Sequence, residues 1–284
     1  MTAFLIRGGR LVDPARGVDG PCDLRVSGSI ISELGTTLTP LPDESVLDAS
    51  GLIVTPGLVD LCVHLREPGF EEIETIRTGA SAALAGGFTA IAAMPDTDPP
   101  VDNEASAAYV RLKGEQAGGA RVYPVGSLTR AREGSQLSEM AGMKRAGAVA
   151  FSDEESAVER TDIFLKALRY AGMLDRPVMT RSEDRWLRGN GVVNNGLIAD
   201  LLGLPAISAG TEEVMLGRNL HLSRLERAPL HLLHLSTRAS MAQVMRAKSD
   251  DVPVTCSVAA PHLVLDEREV RNYDPAFKFM PPLR

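Results

Sequence analysis

The hydrophobic and polar positions follow two different patterns, which change near residue 57. Up to residue 56, short apolar runs such as residues 4–6 and 24–26 alternate with Gly, Pro, Asp and Ser. Runs of this length between turn-forming residues are typical of β-strands. We therefore predict a small all-β domain over residues 1–56 and a second domain over residues 57–284.

In the second domain, apolar runs alternate with stretches of helical spacing. Strand-like runs begin near Leu58, Phe88, Arg121, Ala148, Pro177, Leu230 and Val252. Strands separated by helices run parallel and are buried on both faces. The pattern predicts an α/β fold, a TIM-type (β/α)8 barrel of which this chain supplies seven strands. A doubly wound open sheet is the alternative, but neither Gly-x-Gly-x-x-Gly after an early strand nor a Walker-type motif occurs.

Two linking stretches show the helical period clearly. In residues 161–170 the apolar side chains of Phe164, Ala167 and Leu168 share one helix face. Residues 238–248 repeat the spacing, with an apolar face that is predicted to contain Met241, Val244 and Met245. We expect each of these faces to cover the sheet.

Composition and charge exclude several classes of function. The chain has 30 Lys plus Arg against 37 Asp plus Glu, and this net charge of −7 opposes binding to nucleic acid or anionic lipid. No apolar run approaches the roughly 18 residues of a membrane helix. Three scattered cysteines and an N-terminus without a signal-peptide pattern favour a cytoplasmic protein. We expect small molecules or proteins as partners.

Functional residues of such a barrel lie where its strands end. Strand one ends in Cys62 and His64, which strand alternation places on the same face, and a thiolate beside an imidazole suits a metal ion. Other polar residues at strand ends are Asp96, Asp153, Arg181, His234 and His262. The residues alone leave alternatives open: Cys62 and His64 as core residues, Asp153 as a helix N-cap, and His221 and His231 as packing or surface histidines.

The segment Pro-Gly-Leu-Val-Asp-Leu-Cys-Val-His-Leu-Arg-Glu-Pro-Gly at residues 56–69 resembles the dihydroorotases of the amidohydrolase superfamily. The resemblance continues, in order, at residues 85–91, 94–103, 147–153, 177–184, 234–237 and 279–284. It implies a (β/α)8 barrel beside a small β-sandwich assembled from both chain ends. It also implies opening or closing of the dihydroorotate ring in pyrimidine biosynthesis, with one or two zinc ions.

Matching individual positions to the family gives a degenerate site. The resemblance implies metal-ligand positions at His64, Asp153 and His234, and substrate contacts at Arg66, Asp96 and His262. Four residues depart from the family: Cys62 and Arg181 each stand where a ligand His is expected, and Asp96 and Met280 each where an Asn is expected. Because Arg284 precedes the strand-eight Asp, we assign no catalytic residue. We interpret the sequence as a piece of a longer chain, and the alternative is that something else closes the barrel.

These departures differ in their expected cost. A thiolate at Cys62 can still bind zinc, but the guanidinium of Arg181 cannot become a ligand and carries a fixed positive charge. We hypothesise that Arg181 pairs with Asp153 and replaces the metal, so that no zinc is expected. The alternative is a single zinc ion held by Cys62, His64, Asp153 and His234.

Asp96 is expected to impair substrate binding. An Asn amide donates a hydrogen bond to a substrate carboxylate, whereas an ionised Asp repels it. We also expect Asp96 or Glu67 to neutralise Arg66. These departures predict a catalytically impaired dihydroorotase homologue. The family resemblance implies a role as structural partner of aspartate carbamoyltransferase, and we also expect a homo-oligomer.

Two alternatives are an active dihydroorotase with an altered mononuclear site, and another cyclic amidohydrolase of the hydantoinase or allantoinase type. The retained Leu-Arg-Glu-Pro at residues 65–68 favours the dihydroorotase branch.

Overall fold

The structure is a computed structural model that describes residues 3–284, and its chain divides into two units after Leu58. The N-terminal unit contains the strands β1 (Ala3–Arg7), β2 (Arg10–Asp13), β3 (Val18–Pro21), β4 (Asp23–Ser27), β5 (Ile30–Gly35), β6 (Ser45–Asp48) and β7 (Ile53–Val54). They form a four-stranded sheet in the order β5-β4-β1-β6 and a three-stranded sheet in the order β3-β2-β7. Leu5, Leu11 and Leu24 are buried in this unit.

The second unit, Val59–Arg284, is built on a seven-stranded sheet. Its strands in chain order are β8 (Leu58–Val63), β9 (Phe88–Ala93), β10 (Arg121–Gly126), β11 (Ala150–Phe151), β12 (Val178–Arg181), β13 (Val193–Asn194), β14 (Ala206–Ile207), β15 (Leu230–Leu233) and β16 (Val254–Cys256). The sheet order is β16-β15-β12-β11-β10-β9-β8, and β13 pairs with β14 separately. The strand pairs from β9 to β16 are parallel, so all seven predicted strands and the α/β barrel class are confirmed.

Helices connect these strands. They are α1 (Ile76–Ala85), α2 (Glu104–Ala117), α3 (Met140–Arg145), α4 (Thr161–Met173), α5 (Arg185–Arg188), α6 (Leu197–Leu202), α7 (Gly210–Glu226) and α8 (Arg238–Ser249). Short 3-10 helices span Arg130–Arg132, Ala260–Leu263, Glu267–Asn272 and Pro275–Phe277. Within residues 3–284, none of these helices has the length and hydropathy to cross a bilayer.

Side-chain caps fix where several helices begin. Thr75 and Asn103 each accept a hydrogen bond from a backbone N–H in the first turn of α1 and α2, and Thr237 does the same for α8. These residues satisfy amide groups that have no partner inside the helix. Each cap also ends the loop that follows a strand of the sheet.

The two helices predicted from periodicity are present, but only one buries the predicted face. In α4, Phe164, Ala167 and Leu168 are all fully buried. In α8, Val244 is buried, whereas Met241 and Met245 are exposed. The buried side of α8 instead consists of Ser240, Val244 and Ala247, because small side chains let this helix pack closely.

Candidate functional site

Strand β8 carries the first two candidate residues to the carboxyl-terminal edge of the sheet. Cys62 and His64 lie two residues apart, and alternation turns both side chains the same way. Each offers one donor atom to a group that also includes a carboxylate oxygen of Glu154, and these three atoms lie within 4.8 Å of one another. The structure thus brings Cys62 and His64 together, as strand alternation predicts, and adds Glu154, which was not among the predicted residues.

Asp96, which follows β9, connects His64 to Arg66. Its Oδ2 lies 2.7 Å from Nδ1 of His64 and 2.6 Å from Nη1 of Arg66. Burial disfavours the charge of Asp96, but hydrogen bonding to His64 and the nearby cations outweigh it and hold the pKa of Asp96 below its usual value. Burial likewise opposes protonation of His64, yet Asp96 raises the pKa of His64.

Of the two acidic residues expected to neutralise Arg66, Asp96 is the one that contacts it. Glu67 has other partners: its carboxylate accepts hydrogen bonds from the backbone N–H of Ile76 and the hydroxyl of Tyr109, and it pairs with Lys113 at 3.1 Å.

The carboxylate of Asp153 does not lie in the group formed by Cys62, His64 and Glu154. Its Oδ1 accepts hydrogen bonds from the backbone N–H groups of Leu128 at 2.8 Å and Thr129 at 3.1 Å, and its Oδ2 accepts one from the hydroxyl of Thr129. Burial raises the pKa of Asp153 to about 6, in spite of these donors. The carboxylate therefore fastens the loop after β10. It is also not a helix N-cap, because the N-cap of α4 is Arg160.

Glu154 takes the position that Asp153 was expected to fill. Its side chain is 4% exposed and its Oε2 has no hydrogen-bond partner within the described residues. Its backbone has a positive φ of 32° and its N–H donates to the hydroxyl of Ser152. Burial raises the pKa of Glu154, and the charge of Arg181 opposes that shift.

Positive φ recurs at the edge of the sheet. Arg66 has a φ of 59° and His234 a φ of 54°, so three non-glycine residues that follow β8, β11 and β15 adopt left-handed backbone. Such conformations are costly for residues other than glycine and concentrate at functional sites. At Arg66, Glu154 and His234 the left-handed backbone therefore adjoins the candidate residues, although other loops of the described chain contain such residues too.

The predicted ion pair between Arg181 and Asp153 is wrong. An Nη atom of Arg181 instead lies 3.2 Å from Oε2 of Glu183, and Glu183 also pairs with Arg188 at 3.1 Å. Asp153 is unavailable because both of its oxygens already accept hydrogen bonds from the 128–129 backbone and the Thr129 side chain. The Nε of Arg181 is buried and has no partner among residues 3–284.

His234 lies at the end of β15, outside the group formed by Cys62, His64 and Glu154. Burial, reinforced by the charge of Arg181, lowers the pKa of His234 to about 4, so the ring is neutral near pH 7. It lines a small cleft with Arg181 and Met280. His262 donates from Nε2 to the carbonyl oxygen of Pro281 at 3.0 Å, and this contact holds the 280–282 segment beside the cleft.

The other histidines agree with their predicted roles. His231 is buried, with Nδ1 lying 2.7 Å from the hydroxyl of Thr255, and His221 is exposed on α7. A cavity of about 460 Å³ lies near the site and is lined by Arg132, Glu183 and Arg188 among others, but by none of the predicted site residues.

The donor set fits one zinc ion. Sulfur, imidazole nitrogen and carboxylate oxygen are all zinc ligands, and the partnerless Oε2 of Glu154 is a buried acceptor that a cation would satisfy. The fit holds for Cys62, His64 and Glu154, whereas the predicted set that included Asp153 and His234 is not brought together.

Comparison with known proteins gives matches along nearly the whole chain. A family model described as dihydro-orotase-like matches residues 51–240. Proteins named dihydroorotase from Pelobacter propionicus and Geobacter sulfurreducens are each 42% identical over 281 residues, which is 99% of this chain and 66% of theirs. The chain thus spans slightly less than two thirds of the length of these relatives.

Solved structures give the same fold at lower identity. An L-hydantoinase (dihydropyrimidinase) from Arthrobacter aurescens superposes with a TM-score of 0.82 at 20% identity, covering 100% of this chain and 64% of that one. A D-hydantoinase (dihydropyrimidinase) from Thermus sp. superposes with a TM-score of 0.75 at 22% identity, covering 99% of this chain and 63% of that one. At this identity the likeness concerns the fold alone.

Proposed function

Since the chain belongs to the dihydro-orotase-like family, we propose that it is a catalytically impaired dihydroorotase homologue of pyrimidine biosynthesis and a structural partner of aspartate carbamoyltransferase. The proposal of impairment rests on the residues of the site. The proposal of this partner, and of a homo-oligomer in the cytoplasm, rests on family resemblance.

One observation carries the impairment: the Asp96 carboxylate lies where it neutralises Arg66. Its Oδ2 accepts from Arg66 at 2.6 Å, so the cation expected to bind a substrate carboxylate already has an anionic partner. The lowered pKa of Asp96 keeps this carboxyl ionised at neutral pH. A substrate carboxylate would have to displace Asp96 and then remain close to it, and like charges in a poorly solvated site repel strongly.

Arg181 adds a second obstacle. Its guanidinium cannot lose a proton to become a ligand, and its fixed charge opposes any cation that enters the site. The same charge helps keep His234 neutral, because it contributes to the lowered pKa of that ring, about 4. His234 therefore cannot act as a proton donor near pH 7.

The second candidate function is an active dihydroorotase with a single metal ion, and the convergence of Cys62, His64 and Glu154 favours it. When bound, zinc would polarise an amide carbonyl and lower the pKa of a water molecule. The residues of the chain would hold the ion, but Asp96 would still occupy Arg66. A hydantoinase-type activity has less support, since Leu65, Arg66, Glu67 and Pro68 match the dihydroorotase motif.

The test is an assay of the purified full chain, with and without added zinc, for both hydrolysis of dihydroorotate and cyclisation of carbamoyl aspartate. The Geobacter sulfurreducens relative, assayed in parallel, is the positive control. We expect no enzyme-like turnover from this chain. Turnover comparable with that of the relative would contradict the proposal and favour the active alternative.

The partnership is tested separately by co-expression with the aspartate carbamoyltransferase of the same genome. We expect the two chains to elute together in size-exclusion chromatography. Separate elution at micromolar concentrations would contradict the proposed partnership, but it would not contradict the proposed catalytic impairment.

A further inference from the structure

We propose that a cavity beside the candidate site binds a small molecule with a terminal phosphate or carboxylate group, and that Arg132 anchors this group. The cavity, here called the Arg132 cavity, has a volume of about 460 Å³ and is lined by residues that follow β10, β11 and β12. Cys62, His64 and Glu154 are not among the residues that line it, so it is separate from the group of possible metal ligands.

Four arginines line the Arg132 cavity, and three of them already have carboxylate partners. These pairs are Arg160 with Asp162 at 2.7 Å, Arg185 with Glu159 at 2.5 Å and Arg188 with Glu183 at 3.1 Å. Arg132 is the fourth, and within residues 3–284 it forms no ion pair. Since a guanidinium remains protonated at neutral pH, Arg132 brings to the cavity a positive charge that no carboxylate contacts.

The hydrogen bonds of Arg132 also leave donors free. Its Nη2 donates to the backbone carbonyl oxygen of Asp153 at 3.2 Å. Its Nε is buried without a partner, and its Nη1 makes no hydrogen bond either, in the part of the chain that the structure describes. Phosphate and carboxylate oxygens match the geometry of a guanidinium, and such charge-assisted hydrogen bonds are about twice as strong as neutral ones. An oxyanion is therefore the ligand that Arg132 suits best.

The rest of the cavity wall is compatible with a polar ligand. Ser135 and Ser156 line it and supply neutral hydroxyl donors. A volume of about 460 Å³ is typical of small-molecule sites and exceeds what a phosphate ion alone would fill. The cavity therefore suits a larger molecule that carries the anionic group.

Asp153 fixes the loop that carries Arg132. Its carboxylate accepts hydrogen bonds from the backbone of residues 128–129 and from the hydroxyl of Thr129, whose Oγ1 accepts in turn from the N–H of Gly134 at 2.9 Å. Asp153 also supplies the carbonyl oxygen that contacts Nη2 of Arg132. The buried carboxylate that lies outside the group of possible metal ligands thus positions Arg132.

Asp102 holds the same loop from a second point. Its Oδ2 accepts a hydrogen bond from the N–H of Ala131 at 3.0 Å. Ala131 and Arg132 have positive φ angles of 49° and 59°, a backbone conformation that is costly for residues other than glycine. A loop that is held in its conformation before a ligand arrives loses less conformational entropy on binding.

The acidic residues of the cavity oppose an anion to different extents. Glu159 and Glu183 are already paired with arginines. Glu133 and Glu155 are exposed, so water and salt screen their charges. The whole chain has a net charge of −7, which disfavours non-specific binding of anions. Binding of an anion by this chain therefore requires a specific group such as Arg132.

The experiment measures anion binding by the purified 284-residue chain. Inorganic phosphate and, separately, succinate are titrated by isothermal titration calorimetry at constant ionic strength. We expect one anion per chain with a dissociation constant of about 1 mM or below, which corresponds to about two charge-assisted hydrogen bonds. The probe that binds more tightly identifies the anionic group as phosphate or carboxylate. If neither probe gives saturable binding, the inference is overturned.

A pair of arginine variants identifies the anchor. Arg132→Gln should weaken binding at least about tenfold, because a charged hydrogen-bonding partner is lost. Arg130→Gln is the matched control, since it removes the same charge from an exposed arginine of the same loop that does not line the cavity, and it should bind as the unmodified chain does. Equal binding by the two variants would overturn the inference.

Two further variants test the sign of the charge effect and the location of the anion. Glu155→Gln removes an opposing charge and should strengthen binding about twofold, the size expected for exposed charges. Arg66→Gln should leave binding unchanged, because Arg66 does not line the cavity. Loss of binding in Arg66→Gln but not in Arg132→Gln would place the anion in the candidate site and contradict the inference. None of these measurements depends on turnover, so the inference and the proposed function are tested independently.

Discussion

Asp96 is the departure that matters most for substrate binding, because one oxygen of its carboxylate contacts both Arg66 and His64. We predict that Asp96→Asn increases the affinity of the chain for dihydroorotate and carbamoyl aspartate by about tenfold, or about 1.4 kcal/mol. The substitution removes the repulsion and frees Arg66 for the ligand carboxylate. Isothermal titration calorimetry on metal-free protein measures the effect.

The control for this experiment is Asp98→Asn, which removes an exposed carboxylate two residues away on the same loop. Its affinity should equal that of the unmodified chain. An Asp96→Asn variant that binds no better than this control would mean that Asp96 does not determine the weak binding.

Among individual residues, some contacts of the candidate site could be predicted from the sequence and others could not. Strand alternation alone places Cys62 beside His64, and opposite charge places Asp96 beside Arg66. Glu154 could not be found in this way, because β11 ends at Phe151 and alternation does not extend past the strand. The structure does not bring Asp153 to Cys62 and His64, because its carboxylate accepts hydrogen bonds from the backbone of Leu128 and Thr129, which belong to a different loop.

At the scale of elements, Asp23 at the start of β4 holds together two turns of the N-terminal unit. Its two oxygens each accept a backbone hydrogen bond at 2.8 Å, one from Gly8 and one from Leu38. These bonds hold the pKa of Asp23 below its ordinary value of 3.8. The stabilisation is therefore present above that value and is lost as the pH falls through the lower pKa of the folded state.

We predict that Asp23→Asn destabilises this unit by about 1–3 kcal/mol at pH 7, the usual cost of leaving buried donors poorly satisfied. The difference from the unmodified chain should shrink as the pH falls below 3.8 and through the lower pKa of folded Asp23, where the native residue also becomes neutral. Hydrogen exchange of peptides from residues 3–58, at both pH values, measures it. Asp43→Asn, an exposed change in the same unit, should have little effect, and a pH-independent difference for Asp23→Asn would contradict the linkage.

The positions of strands and helices were more predictable from the sequence than the side on which each helix is buried. The seven strands of the main sheet and the spans of α4 and α8 follow from periodicity. The buried side of α8 does not, because Met241 and Met245 are apolar yet exposed while Ser240 is buried. The small sheet of β13 and β14 was also missed, since strands of two residues carry too few positions to show alternation.

At the scale of the whole molecule, the order of the seven-stranded sheet places β8 at one end. Val59 and Leu61 on this strand are 58% and 44% exposed. A strand at the end of a sheet with exposed apolar side chains can pair with another chain. In a closed (β/α)8 barrel this strand pairs with an eighth strand, so the exposed edge is a property of the 284-residue chain as given, and for that chain we predict the self-association contact here.

We predict that the unmodified chain self-associates with increasing concentration and that Val59→Lys combined with Leu61→Lys weakens this association at least about tenfold. Burying each such side chain contributes about 1.5–3 kcal/mol, and a lysine ammonium would have to lose its hydration in the contact. Sedimentation velocity over a range of concentrations gives the dissociation constant. Leu84→Lys and Leu112→Lys alter exposed leucines on α1 and α2 and should leave association unchanged. If the β8 variant associates as strongly as these controls, the two lysines do not lie in the contact. The contact would then be on another surface.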